Sequence, residues 1–276
     1  MCEDCGCSIT EHSHDSGTKT HASHRFQAVT EQASRVPFSD QKHNHSHSAH
    51  SHGSNPALSD TVTVNVLQNI LSENNHQADH IREHFNKKNI FAVNLMGSPG
   101  CGKTSLLEET AKRIKSEIAV LEGDLETTRD ADRMKACGVK AHQIQTGSTC
   151  HLDAFMIHDA LHEIELEQDS ILFIENVGNL VCPAAYDTGA HLNAVMLSVP
   201  EGDDKVAKYP VIFRNAHIVI LSKMDLLEHF DFDLERVKKD FRKLNPSADF
   251  ITMSTKDESS IQTWLDYLSL KRKLRA

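Results

Sequence analysis

No stretch of the 276-residue chain approaches the roughly 20 consecutive apolar residues that a membrane helix needs. A mean hydropathy of −0.42, with 39% hydrophobic and 25% charged residues, fits a soluble chain. The sequence opens Met1-Cys2-Glu3-Asp4, without a basic segment followed by an apolar one, so no secretory signal is expected and the cytoplasm is the expected location. Basic charge is not in excess: the net charge of −10 and pI of about 6.0 argue against nucleic acid as the main partner. Seven cysteines, an odd set, fit a reducing compartment better than a disulfide scaffold. Internal repeats are not apparent. The length allows one or two domains with a core of useful size.

Histidine is present in excess. Nine of the 19 lie in one tract, at His12, His14, His21, His24, His43, His45, His47, His50 and His52. Ser, Thr, Asn and Gly surround them, and Phe26, Val29, Val36 and Phe38 are the only sizeable apolar residues. So little apolar surface does not offset the entropy of ordering, so residues 1–56 are read as a disordered segment. The histidines mostly alternate with Ser, Asn and Ala rather than forming the consecutive run of an expression tag, which favours metal buffering. Ahead of them, Cys2, Cys5 and Cys7 place three thiols within six residues on a polar segment with nothing to pack against. Metal binding is the favoured reading and redox chemistry the alternative. Removal of Met1 would free an α-amine as a fourth ligand, a set suited to square-planar Ni(II), although Zn²⁺ accepts the same thiolates tetrahedrally.

Residues 57–276 read as one α/β domain with a leading helical segment. Ser59-Asp60 is a plausible N-cap, and Val62, Val66, Ile70, Ile81 and Phe85 keep helical spacing in a segment expected to pack on the domain. Apolar runs follow at Ile90–Met96, Ile118–Leu121, Ile171–Ile174, Ala194–Val199, Ile218–Leu221 and Phe250–Met253. Helical patterns at Ser105–Lys115, Asp153–Glu167 and Leu234–Leu244 lie between several of them. Such alternation predicts a mostly parallel sheet covered by helices on both faces.

Gly97-Ser98-Pro99-Gly100-Cys101-Gly102-Lys103-Thr104 fits G-x-x-x-x-G-K-[ST], directly after an apolar strand and at the start of a helix, with Ser105 next in line. Gly97, Gly100 and Gly102 let backbone N–H groups curl around phosphates at a helix N-terminus. Lys103 is expected to reach the β and γ phosphates and Thr104 to coordinate Mg²⁺. Cys101 reads as a small residue within that loop. Ser222-Lys223-Met224-Asp225 resembles the N-K-x-D element of GTPases, with Ser222 in place of the usual Asn. The Asp225 carboxylate is expected to accept from guanine N1–H and its 2-amino group, which rejects adenine. Met253-Ser254-Thr255-Lys256 resembles the S-A-K loop that contacts guanine O6. Glu175-Asn176-Val177-Gly178 stands where GTPases carry D-x-x-G, whose acid holds the metal shell and whose Gly N–H senses the γ-phosphate. Asp124, ending Glu122-Gly123-Asp124, is a candidate to bind Mg²⁺ or position the attacking water. No Gln stands where many GTPases place one to orient water, so slow and partner-dependent turnover is expected. Cys182 lies four residues beyond Gly178, and Cys150-His151 begins a helix. A lone cysteine is often a small buried hydrophobe. A metal held by Cys182, however, would feel the nucleotide state.

Together these strings resemble the HypB family of hydrogenase nickel-incorporation GTPases, over about residues 57 to 270. Supporting runs are Gly97–Thr104, Glu122–Asp124, Thr149–Asp153, Glu175–Ala184, Glu201–Lys205 and Lys208–Pro210. The resemblance implies a Mg²⁺-dependent GTPase that binds GTP and GDP and helps deliver nickel to the large subunit of [NiFe]-hydrogenase. It implies a GTP-promoted homodimer whose metal sites, built from Cys150, His151 and Cys182 of both subunits, meet at the interface. Leu226 and Phe230, one helical turn apart just after Asp225, match apolar positions buried between subunits, with ordinary core packing as the alternative. Implied partners include the small nickel and zinc protein HypA and, in some organisms, a prolyl isomerase with its own metal-binding tail. The rival readings are a nickel store with a vestigial GTPase, a small-molecule P-loop kinase, and a related metallochaperone serving urease or a cobalt enzyme. Asp225 opposes the kinase, and Cys182-Pro183-Ala184 opposes the urease version.

Overall fold

The computed structural model describes residues 61–114, 118–124 and 129–275. The expectations for Cys2, Cys5, Cys7, the histidine tract, the Ser59-Asp60 cap and the boundary near residue 56 lie outside them.

Strand β1 (Phe91–Gly97) is buried along its whole length, as expected of a central strand with helices on both faces. Its odd-numbered side chains Phe91, Val93 and Leu95 meet one core cluster, and Ala92 meets another on the opposite face. Among the described residues six further strands share the sheet: β2 (Ile118–Asp124), β3 (Lys140–Gln145), β4 (Ile171–Glu175), β5 (Leu192–Ser198), β6 (Ile218–Ser222) and β7 (Asp249–Thr252). Their order is β3-β2-β4-β1-β5-β6-β7, and every pairing is parallel. The chain leaves β1 for β2 on one side and later reaches β5 on the other. That reversal opens a crevice at the C-terminal ends of β1 and its neighbours.

One face is covered by α2 (Lys103–Arg113) and the last helix, α8 (Glu258–Arg275). There Trp264 is fully buried and its indole N–H donates to Thr110 Oγ1 at 3.0 Å. The other face carries α1 (Thr61–Lys87) and α4 (Ala154–Glu163), while α3 (Arg129–Ala136), between β2 and β3 in the chain, packs its Met134 on the α2 face. Two short helices, α5 (Lys205–Lys208) and α6 (Pro210–Arg214), and α7 (Leu234–Leu244) enclose the β5–β6 end. Asp153 and Asp233 cap α4 and α7, accepting from Met156 N at 2.8 Å and Arg236 N at 2.9 Å.

The leading helix packs by only half its length. Ala78, Ile81 and Phe85 are buried against Ile157 and Ala160 of α4. Val66 and Ile70, expected in that contact, are instead about half exposed, because the helix begins well before the sheet it covers. Strand β3 lacks an apolar run: Lys140, His142 and Gln143 suit an edge strand of which only Ile144 is buried.

Candidate functional site

The crevice after β1 is a cleft of about 520 Å³. Gly97 belongs there for lack of space, since a Cβ would stand 2.6 Å from the Met196 carbonyl oxygen. Gly102 is required for its backbone instead: with φ of 104° it turns the chain into α2. Lys103 and Thr104 follow at once, both buried and both lining the cleft. Thr104 Oγ1 donates to Glu175 Oε1 at 2.8 Å, joining the first turn of α2 to the end of β4.

Glu175 has a partner that its own motif does not name. Glu122 is its register neighbour on β2, so two carboxylates sit side by side beneath the phosphate loop. Glu122 Oε2 and Glu175 Oε2 are both buried without a hydrogen-bond partner. Burial, with the neighbouring Glu175 charge second, pushes the Glu122 carboxyl up to about 8. Burial pushes Glu175 up to about 7, against the opposing pull of Lys103 and the Thr104 hydrogen bond. Paired acids with orphaned oxygens, beside a threonine hydroxyl and Asp124, fit a hard oxygen-seeking divalent cation such as Mg²⁺. Arg133, on α3, adds a cation to the cleft wall and is held by Glu108 at 2.8 Å and Asp130 at 2.9 Å.

At the far end of the crevice, Ser222 Oγ donates to the Cys101 carbonyl at 2.6 Å and ties β6 to the phosphate loop. Lys223 lines the cleft in a left-handed conformation, φ 58°. Asp225 accepts from Ser254 Oγ at 2.8 Å and from Lys256 Nζ at 2.7 Å, which lowers its pKa. Ser254 therefore orients Asp225, while Thr255 beside it is exposed.

A second cluster stands next to the cleft. Donor atoms of Cys150, His151 and Cys182 all lie within 4.8 Å of one another. The two sulfurs are joined across Cα atoms 6.1 Å apart, whereas the sequence treats them as separate thiolates; among the described cysteines, Cys101 and Cys137 are free. A joined pair offers no thiolate, so the metal-binding form of the cluster is the reduced one. His151 stacks on Tyr186 with ring centroids 3.8 Å apart, and its Nδ1 is buried without a partner. Burial lowers its pKa, which favours the neutral, ligating imidazole.

Short links join the cluster to the cleft. Asn176, one residue past Glu175, accepts at Oδ1 from Leu152 N (3.1 Å) and Val177 N (3.0 Å). Leu152 follows His151 directly and lies so close to Gly123 that a Cβ there would meet its side chain at 2.7 Å. Gly178 rests against Pro99 of the phosphate loop just as tightly, at 2.9 Å. Gly97 pairs with Asn179, three residues before Cys182.

Residues 91–252 match the CobW/HypB/UreG nucleotide-binding domain. The chain is 47% identical over 223 residues to the hydrogenase/urease maturation factor HypB of Helicobacter pylori, covering 79% of this chain and 92% of that one. The chain belongs to the HypB branch of the CobW/HypB/UreG family. HypB of Escherichia coli, a hydrogenase maturation factor, is 42% identical over 219 residues, covering 79% of this chain and 76% of that one. In structure, the chain is similar to Helicobacter pylori HypB solved in complex with nickel, with a TM-score of 0.72 and 46% identity, covering 74% of this chain and 96% of that one. Archaeoglobus fulgidus HypB gives 0.69 and 41%, covering 73% and 100%.

Within this HypB-family chain the structure gathers Gly100, Gly102, Lys103, Thr104, Ser105, Asp124, Glu175, Gly178 and Lys223 around one cleft. Gly97, Cys101 and Ser222 sit just behind them as packing and ties. One expected arrangement differs. Leu226 lies in a 3₁₀ helix, Met224–His229, and Phe230 lies beyond its end, so four residues do not span one turn of a continuous helix. Leu227, not Leu226, packs on the core, and Phe230 is 45% exposed. Glu122, Arg133 and Tyr186 were not singled out as site residues in the sequence. The signal for Glu122 was its place two residues before Asp124, on the same face of the strand.

The paired acids predict a stability that falls with rising pH. In the metal-free chain, Glu122 and Glu175 keep protons that the unfolded chain has already released, so unfolding sets protons free and is favoured as pH climbs toward the folded pKa values. Between pH 7.5 and 8, where histidines of the unfolded chain, with their ordinary pKa near 6.5, have mostly lost their protons, urea unfolding is expected to show stability dropping by up to about 1.4 kcal/mol per pH unit and proton. Glu122→Gln is expected to flatten that slope. A slope that Glu122→Gln leaves unchanged would mean that Glu122 is ionised throughout.

Proposed function

We propose that this chain is a GTP-hydrolysing nickel metallochaperone that serves the maturation of [NiFe]-hydrogenase, working as a GTP-promoted dimer with a HypA-type nickel protein and the hydrogenase large subunit as partners. The observation that carries this reading is the Cys150–His151–Cys182 cluster, tied through Leu152 and Asn176 to the wall of the nucleotide cleft. A soft nitrogen and sulfur donor set suits Ni²⁺, with Zn²⁺ its competitor. The hydrogenase/urease name of the Helicobacter pylori relative supports a second recipient, urease, for the same cargo.

Lys103 places its ammonium against the β and γ phosphates, and the backbone N–H groups after Gly97 hold the remaining oxygens. Thr104, Glu175, Glu122 and Asp124 would hold Mg²⁺, which would supply positive charge to offset the negative charge developing on the leaving phosphate. Water attacks the γ-phosphorus, the bond to the β–γ bridging oxygen breaks, and GDP and phosphate leave. The Gly178 N–H faces the γ-phosphate. Its loss relaxes the Glu175–Gly178 segment, and Asn176 passes that change to Leu152 and the neighbouring ligands. Cargo affinity then depends on which nucleotide is bound. Leu226 and Phe230 are offered to the second subunit.

The test uses the full chain with Cys2, Cys5 and Cys7 changed to Ser, under reducing conditions, so that thiolate-to-nickel charge-transfer absorption reports the internal cluster. Nickel affinity is expected to differ at least fivefold between GDP and a non-hydrolysable GTP analogue. The absorption is expected to vanish in Cys182→Ala and after oxidation of the Cys150–Cys182 pair. Equal affinities with both nucleotides would reject nucleotide-driven transfer and leave a nickel store.

A further inference from the structure

Helices α1 and α4 lie side by side and run in the same direction. Asn74 of α1 accepts from Ala154 N at the start of α4 at 2.9 Å, and further along His80 faces His158 with ring centroids 6.2 Å apart. Four residues on from His80, about 6 Å of rise along α1, His84 lies within electrostatic reach of both His80 and His158. Two pairs of imidazoles at the i, i+4 spacing that shares one helix face thus flank the seam formed by Ala78, Ile81, Ile157 and Ala160. Within α4, the His158 and His162 rings are 4.9 Å apart and nearly perpendicular. None of the four belongs to the buried core, and His80 and His162 are exposed.

We propose that His80, His84, His158 and His162 form a second metal site, which takes a divalent transition-metal ion of the zinc and nickel class and pins α1 to α4. It is independent of the nucleotide cleft and of the Cys150 cluster. With metal–nitrogen bonds of about 2.0–2.1 Å, two imidazoles on one tetrahedral ion have centroids roughly 5 Å apart. The α4 pair already meets that spacing, and the cross-helix pair exceeds it by about an ångström, which rotation of the exposed His80 ring supplies. Imidazole-only sets suit zinc, copper and nickel, and reject magnesium and calcium. Burial and the charges of Lys88, His80, Lys87 and His158 lower the His84 pKa, so its ring is neutral at physiological pH. The Asp159 carboxylate lies 3.6 Å from His158 Nδ1, on hand to orient that ring. Occupancy would anchor the helix into which the histidine-rich tract leads.

Carbethoxylation by diethylpyrocarbonate, read residue by residue by mass spectrometry on the full chain with and without Zn²⁺, tests the site without interference from other ligands. Zn²⁺ is expected to slow labelling of His80, His84, His158 and His162 at least fivefold, with exposed His229 as the unprotected reference. In His158→Gln the other three are expected to regain most of their labelling. His162→Gln, at an exposed position, gives the same readout if the first variant folds poorly. Labelling that stays at metal-free rates at all four, while His151 is protected, overturns the proposal. So does protection of His80 and His84 that ignores both substitutions, because each helix would then bind alone.

Discussion

Asp225→Asn is expected to weaken GTP binding roughly 100-fold and to raise binding of xanthosine triphosphate above that of GTP. The carboxylate can accept two hydrogen bonds from guanine, at N1–H and at the 2-amino group, and charge-assisted bonds contribute about 1.5–3 kcal/mol each. An amide in its place presents N–H where an acceptor is needed. Xanthine carries a carbonyl at that ring position and so accepts from the amide. The side chain is already aimed: Ser254 Oγ and Lys256 Nζ hold its two oxygens from the loop after β7. Asparagine keeps the Ser254 contact and gives up the Lys256 charge. Competition titrations with GTP, ATP and xanthosine triphosphate measure the effect. If wild-type protein binds ATP as well as GTP and the variant leaves GTP unchanged, Asp225 does not read the base. Ser222, which stands in place of Asn, fastens β6 to the Cys101 carbonyl of the phosphate loop through its hydroxyl.

The parts of this fold legible in the sequence are those where a residue type has one physical use. A Gly-rich run between an apolar strand and a helical pattern predicts a tight strand-to-helix turn, and Gly97, Gly102, Lys103 and Thr104 lie between the end of β1 and the first turn of α2. Central strands buried on both faces were visible as unbroken apolar runs. Edge strand β3 was not, because Lys140, His142 and Gln143 carry no periodic apolar signal. The convergence of Cys150, His151 and Cys182 was implied by the family resemblance, while the residues themselves offered only the nearness of Cys182 to the Glu175–Gly178 segment, since 32 residues separate the two cysteines. The pairing of Glu122 with Glu175 was hidden for another reason. It depends on β2 lying beside β4, and strand order is a property of the whole sheet. The reach of α1 was misjudged because helical periodicity fixes which face is apolar but not how far a neighbour extends to cover it. Ile81 and Phe85 find a partner in α4, while Val66 and Ile70 continue past its start.

Asn176→Ala is expected to separate the two activities, leaving GTP hydrolysis within a few-fold of wild type while the nickel-affinity ratio between GTP-analogue and GDP states falls to about one. Couplings between sites of this kind are typically about 1–3 kcal/mol, or 5- to 150-fold in affinity, so the loss is measurable by the same thiolate charge-transfer titration. Asn176 suits the role by its chemistry. It is almost fully buried, its Oδ1 serves both Leu152 and Val177, and its Nδ2 donates to Asn94 Oδ1 at 3.2 Å. Asn94 in turn donates to Asn193 at 3.1 Å, so the amide is held from the sheet side and transmits displacement instead of absorbing it. Alanine leaves the Leu152 and Val177 amides without that acceptor, a cost of about 1–3 kcal/mol for each unsatisfied buried group. A thermal melt checks that this cost has not unfolded the chain. The alternative route runs from Gly97 to Asn179 and on to Cys182, and does not pass through the Asn176 side chain. A ratio that survives Asn176→Ala therefore assigns the coupling to that second path. A ratio that collapses places it in the single residue between Glu175 and the loop carrying His151.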